Sequence, residues 1–208
     1  MEPNWAAENL QTIRTLMERS ALYRRALAPI MTCAGVLGLS GGIVGAAFHF
    51  DTPATFVRLW GIVGVAAGAC ALLLVRRQAI KDKEAFWSPP TRRVAQGMLP
   101  PILVGAVAGF LTLACPGWDA IPAWTLPAFW MVLYGCALNT AGFFMTRGIR
   151  ILGWLFIICG CGWMSARCWA GGPLALTQAH RLMGTVFGGL HLASGVYLYF
   201  TEPRRNET

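Results

Sequence analysis

The sequence predicts an all-α integral membrane bundle of six transmembrane helices with an N-terminal amphipathic interfacial helix, both termini on the inner side. Three observations predict it. Apolar stretches recur at 27–48, 57–75, 97–115, 126–145, 151–169 and 179–200, each close to the roughly 20 residues needed to cross a bilayer. The chain is 56% hydrophobic and 12% charged, whereas soluble domains are about a quarter charged. Finally, the basic residues fall between alternate pairs of stretches. Arg14, Arg19, Arg24, Arg25, Arg76, Arg77, Lys81, Lys83, Arg92, Arg93, Arg147, Arg150, Arg204 and Arg205 share one side, leaving Arg58, Arg167 and Arg181 on the other. That is the positive-inside bias, and it accounts for the net charge of +8 without nucleic acid.

Three regions follow: residues 1–26 as a cytoplasmic amphipathic helix, 27–200 as the transmembrane domain and 201–208 as a cytoplasmic tail. In the first, Asn4 is a plausible N-cap. At 100° per residue Trp5, Leu10, Ile13, Leu16, Met17, Tyr23 and Leu27 form one stripe, with Glu8, Arg14, Glu18, Arg19 and Arg25 opposite. Such a helix lies on the inner leaflet as an anchor or docks a partner. The first apolar run is long enough to span and follows a mixed-charge segment, unlike a cleaved leader.

The longest connection, Arg76–Gln96, is charged at both ends and carries Phe86-Trp87-Ser88-Pro89-Pro90 between. This reads as an aromatic anchor with a stiff extended exit, because a proline restricts the residue before it. Its Phe86 and Trp87, with Ile13, Leu16 and Met17, form the candidate docking surface for a cytoplasmic protein partner. Pro100 and Pro101 are expected in the first turn of the third span, where a missing amide costs little. Trp60, Trp118, Trp124, Trp130, Trp163 and Trp169 map to the outer boundary as an aromatic belt, and Trp87, Tyr197 and Tyr199 to the inner one.

Glycines four apart (Gly38/Gly42, Gly41/Gly45, Gly64/Gly68, Gly105/Gly109 and Gly184/Gly188) suit close helix packing and a homodimer. The seven cysteines show no metal spacing. Cys159 and Cys161 point to different sides of one helix, and most cysteines read as packing residues. Cys115 and Cys168 share the outer helix ends, so a disulfide between them is geometrically conceivable.

Polar groups at membrane depth are the default functional candidates. No Asp, Glu or Lys lies in the middle of a span, and no HExxH, GxSxG, P-loop or GxGxxG pattern occurs. This weighs against ion-coupled transport and acid–base hydrolysis, and no catalytic residue, metal site or cofactor is expected. His180 and His191, eleven apart, project within about 20° of each other at 100° per residue and three turns apart in depth. His191 lies about halfway through span six at a depth similar to that of Asn139 in span four, and the two are expected to form a buried polar pair. An outer pocket gathers His49, Asp51, Asp119, Arg167, Gln178, His180 and Arg181. It reads as solvated ion pairs, or as a small-molecule site in which Arg167 and Arg181 face an anion. The redox alternative sets His49 and His180 as axial ligands of haem b.

The segment Glu8–Ser20 (ENLQTIRTLMERS) with Tyr23-Arg24, the run Phe86-Trp87-Ser88-Pro89 and the run Gly188-Gly189-Leu190-His191-Leu192 resemble a family of uncharacterised bacterial six-span inner-membrane proteins. The resemblance implies a multi-helix inner-membrane protein and supplies no reaction, cofactor or site residue. The expected function is a non-enzymatic membrane protein, a regulatory or docking subunit using its basic cytoplasmic face. The alternatives are a haem- or quinone-linked redox subunit and a small transporter or lipid-handling protein. The expected partners are the lipid bilayer, a cytoplasmic protein and a second copy of the chain.

Overall fold

A computed structural model describes residues 26–83, 85–115, 122–145, 147–171 and 175–201, and all regular structure among them is helical. The amphipathic helix expected over 1–26 and the tail at 201–208 lie outside the described residues, apart from their boundary residues Ala26 and Thr201. Helix α1 covers Ala26–Ala47. Helix α2 (Pro53–Lys81) starts at a capping box in which Thr52 and Thr55 exchange side-chain-to-backbone hydrogen bonds, both 3.2 Å, with Pro53 preset for the first turn. It continues past the expected 57–75 because nothing from Arg76 to Lys81 breaks a helix, and basic residues are good helix formers.

Helix α3 (Pro89–Ala114) corrects the reading of both proline pairs. Ser88 is extended, as a residue before proline should be, but Pro89 and Pro90 begin the helix and do not form an extended exit. Proline's fixed φ and missing amide are tolerated in a first turn. Pro100 and Pro101 consequently lie inside α3, not in its first turn. Membrane helices accommodate such interior prolines when neighbours satisfy the freed carbonyls. The connection expected over 76–96 shrinks to residues 82–88.

A 3₁₀ turn (Ala123–Thr125) leads into α4 (Leu126–Ala141), which stops at Gly142, short of the expected 145. Helix α5 covers Arg147–Ala170. The last rod comprises α6 (Leu176–Met183), a π segment (Gly184–Gly188) and α7 (Gly189–Thr201). Four described helices are long and apolar enough to cross a membrane: Ala26–Ala47, Pro53–Lys81, Thr91–Ala114 and Arg147–Ala170. The protein therefore has the make-up of a membrane protein. Large apolar side chains point outward along these helices, among them Val65, Leu73, Val107, Phe110 and Ile158, as contact with hydrocarbon requires.

Successive helices pack antiparallel. The first and last rods meet through a glycine seam: a Cβ on Gly42 would stand 2.6 Å from the Cα of Gly184, and one on Gly38 would stand 3.0 Å from the Cα of Gly188. Two of the spaced pairs seen in the sequence thus face each other, letting the backbones approach. Trp130 lies over Gly105 and Gly109 and donates its indole N–H to the Gly105 carbonyl at 2.9 Å. By contrast, Gly64 and Gly68 have nothing within 4 Å of a built Cβ.

Cys33 of α1 and Cys70 of α2 form a disulfide. Cys115 and Cys168, the pair conceived from the sequence, are both free. Helices α3 and α5, which carry them, each pack against α4.

Candidate functional site

Two buried histidines anchor the polar interior. His180 sits in the second turn of α6 and has no exposed surface. The neighbouring Thr177 donates its hydroxyl to Asp51 Oδ1 at 2.6 Å, clasping α6 to the turn between α1 and α2. That turn is made by His49 in the left-handed region (φ 52°), and its ring Nδ1 lies 3.7 Å from Asp51 Oδ2.

The tautomer of His180 follows from its partners. Trp60 donates its indole N–H to Nδ1 at 3.1 Å, so Nδ1 must accept. In the neutral ring the proton then sits on Nε2, which donates to the Phe50 carbonyl at 3.1 Å. Phe56 closes the pocket, its ring centroid 4.7 Å from the imidazole. Both nitrogens are committed to protein partners, so a haem iron could take His180 only if Trp60 or Phe50 let go. Trp60, only 5% exposed, is a core residue and not part of an outer belt.

His191 has the opposite tautomer. Its Nδ1–H donates to the Phe187 carbonyl at 2.7 Å, and Nε2 accepts the Tyr134 hydroxyl at 2.8 Å. Tyr134, Phe156 and Phe187 surround the ring, with Tyr134 edge-on to Phe156 at 5.1 Å and Phe187 4.8 Å from Phe156. The expected hydrogen bond to Asn139 is not the one formed. Asn139 donates its Nδ2 to the Gly135 carbonyl one turn back at 3.1 Å, and faces Gly153 of α5. Tyr134 and Asn139 are five residues apart, about 140° around α4, so one helix cannot turn both toward His191.

The near-alignment of the two histidines also fails. His180 contacts α1 and α2, whereas His191 contacts α4 and α5. The intervening π segment is the cause, because i→i+5 bonding winds more slowly than an α-helix and shifts the phase.

Of the expected outer pocket, His49, Asp51 and His180 come together. Gln178 and Arg181 are exposed along α6. Arg167 belongs elsewhere, in a groove of about 330 Å³ with Trp124, Trp163 and Cys168. Asp119 lies outside the described residues. Sequence reasoning missed Trp60, Thr177 and Tyr134. Tyr134 left a signal, since a lone tyrosine hydroxyl in an apolar span needs a partner.

On the docking surface, Thr91 donates to the Phe86 carbonyl at 3.1 Å and bonds Ser88 Oγ at 2.9 Å, while Trp87 is 58% exposed. Ile13, Leu16 and Met17 lie outside the described residues. Around Trp87, one end of the bundle exposes Arg76, Arg77, Lys81, Lys83, Arg92, Arg93, Arg147 and Arg150. The opposite end carries Arg58, Arg167 and Arg181 among the described residues. No cluster of three potential metal-ligating residues occurs among the described residues. No protein-family model, curated protein or solved structure matches the chain.

Proposed function

We propose that the chain is a six-span bacterial inner-membrane protein with both termini in the cytoplasm, acting as a non-enzymatic docking or regulatory subunit through its basic face. The observation carrying this reading is the crowding of exposed Arg and Lys at the end bearing residues 82–88, beside the exposed Trp87. Such a face suits the cytoplasmic side by the positive-inside rule and attracts acidic surfaces or anionic lipid. The rod from Leu176 to Thr201, about 39 Å long at 1.5 Å per residue, is ample for a further crossing. The short α4, extended by its 3₁₀ turn, supplies the remaining one. Inside the bundle, both buried histidines hold helices together, which suits a scaffold.

The test has two parts. Single cysteines replacing Lys83 and Thr52, in a cysteine-free background, should react with a membrane-impermeant maleimide from opposite sides of the membrane. Reaction from the same side would overturn the topology. Crosslinking pull-downs should then lose their partner when residues 1–25 are deleted or when Arg92 and Arg93 become Gln; an unchanged partner list would overturn the docking role. A Soret band on the purified protein that shifts with dithionite would instead reinstate the redox reading.

A further inference from the structure

Helix α3 outruns the end of α4 at the basic face. A Cβ on Gly97 of α3 would stand 2.7 Å from Cγ2 of Thr140, the residue before the last of α4. Beyond that contact α4 stops at Gly142, whereas α3 extends back through residues 96–89, about 12 Å further. The shortfall leaves a notch between the first turns of α3 and the start of α5, floored by the turn at Gly142–Phe144. Arginines line both walls. Arg93 lies one turn before Gly97 and within about 40° of it around α3, so it stands past the end of α4. On α5, Arg147 and Arg150 share a face at i,i+3. Arg150 lies against Gly142, with its guanidinium carbon 5.0 Å from the Phe143 ring centroid. All three arginines are exposed, and none forms an ion pair among the described residues. Asp82, the one acidic residue described at this end, accepts Gln78 Nε2 at 2.9 Å. The positive charge of the notch is thus unbalanced among the described residues.

Depth identifies what balances it. Arg150 directly precedes the apolar run 151–169, and Arg93 stands before the run 97–115 by about 6 Å at helical rise. That is headgroup depth, since headgroups add about 5–8 Å to each side of the hydrocarbon. We propose that the notch binds an anionic phospholipid with two phosphates, a diphosphatidylglycerol, in the leaflet at this end. One phosphate pairs with Arg93 and the other with Arg147 and Arg150, whose guanidinium forks suit phosphate oxygens. The acyl chains leave over Phe143 and Phe144, 72% and 43% exposed. Basic pockets between membrane helices on the cytoplasmic side suit such lipids. The assignment rests on the six-span topology proposed above, which maleimide labelling tests separately, and needs no protein partner.

The test is native mass spectrometry of the full-length detergent-purified protein titrated with diphosphatidylglycerol or with phosphatidylcholine. Wild type should retain diphosphatidylglycerol at least about tenfold more tightly, since each cation beside an anionic headgroup contributes about fivefold. Arg93→Gln with Arg147→Gln should abolish that preference. Arg76→Gln with Arg77→Gln removes the same charge from α2, outside the notch, and should leave it unchanged within about twofold. Equal retention of the two lipids by wild type would overturn the proposal, as would undiminished retention by the notch variant. Equal losses in both double variants would overturn it too, showing diffuse attraction to the basic face. So would displacement of the lipid by excess inorganic phosphate, which would make free phosphate the occupant. Should the notch variant fail to fold, Arg93→Lys keeps the charge and loses the fork; it should weaken retention about threefold, and unchanged retention would again overturn the proposal.

Discussion

Trp60 of α2 donates its indole N–H to Nδ1 of His180 at 3.1 Å, across 120 residues of sequence and within the buried core. One hydrogen bond thereby fixes the histidine's tautomer, commits its other nitrogen to the Phe50 carbonyl and ties α2 to α6.

Trp60→Phe keeps most of the ring volume and leaves the buried Nδ1 without its donor. A buried acceptor deprived of its partner costs about 1–3 kcal/mol, although interhelical hydrogen bonds in membranes often fall nearer 0.6. We expect a loss of about 1 kcal/mol in reversible unfolding in mixed micelles. Wild-type stability would mean the indole N–H contributes nothing to the fold.

Glycine substitutions should separate two kinds of position. Gly42→Ala drives a methyl into the Cα of Gly184, a backbone atom that cannot rotate away, and overpacking of this kind costs about 1–3 kcal/mol. Gly64→Ala enters open space and should change stability by less than about 0.5 kcal/mol. Thermal denaturation of both in one detergent settles it. A strongly destabilised Gly64→Ala would indicate that α2 is covered by something else, such as a second copy of the chain.

The partner of His191 is open to a double-mutant cycle. Tyr134→Phe and His191→Leu should couple by about 1 kcal/mol because the two share a hydrogen bond. Asn139→Leu and His191→Leu should be additive within about 0.5 kcal/mol. The reverse pattern would restore the pairing suggested by the sequence.

Thiol counting checks the covalent link. Maleimide labelling of denatured, unreduced protein should reach Cys115, Cys136, Cys159, Cys161 and Cys168. Cys33 and Cys70 should join only after reduction. Complete labelling before reduction would show that the bridge is absent.

Much of this architecture is legible in the residues. Apolar run length reveals the membrane-length helices, and the glycine spacing in the first and last rods anticipates their seam. Helix ends are less legible, because the prolines at 89–90 suit a helix's first turn as well as an extended segment. The interior was harder still. A tryptophan at the boundary of an apolar run looks the same whether it faces headgroups or a histidine 120 residues away, so nothing in the sequence separates Trp60 from a belt residue. No residue pattern announces the π segment, and it shifts the phase of everything beyond Gly184–Gly188 relative to α6. Asn139 and His191 share only depth, and depth says nothing about which way a side chain turns.

The change of phase within the last rod bears on how the protein is assembled. Residues 176–183 complete the pocket formed by α1 and α2, and residues 189–201 supply His191 to the aromatic cluster of α4 and α5. Ribosomal synthesis delivers this rod after all the others. Until it arrives, the α1–α2 hairpin presents Trp60 with no acceptor and the α4–α5 hairpin presents Tyr134 with none. This rod, made after α1 to α5, is thus a keystone for two half-built subassemblies, and a chain truncated before residue 176 leaves both gaps open at once.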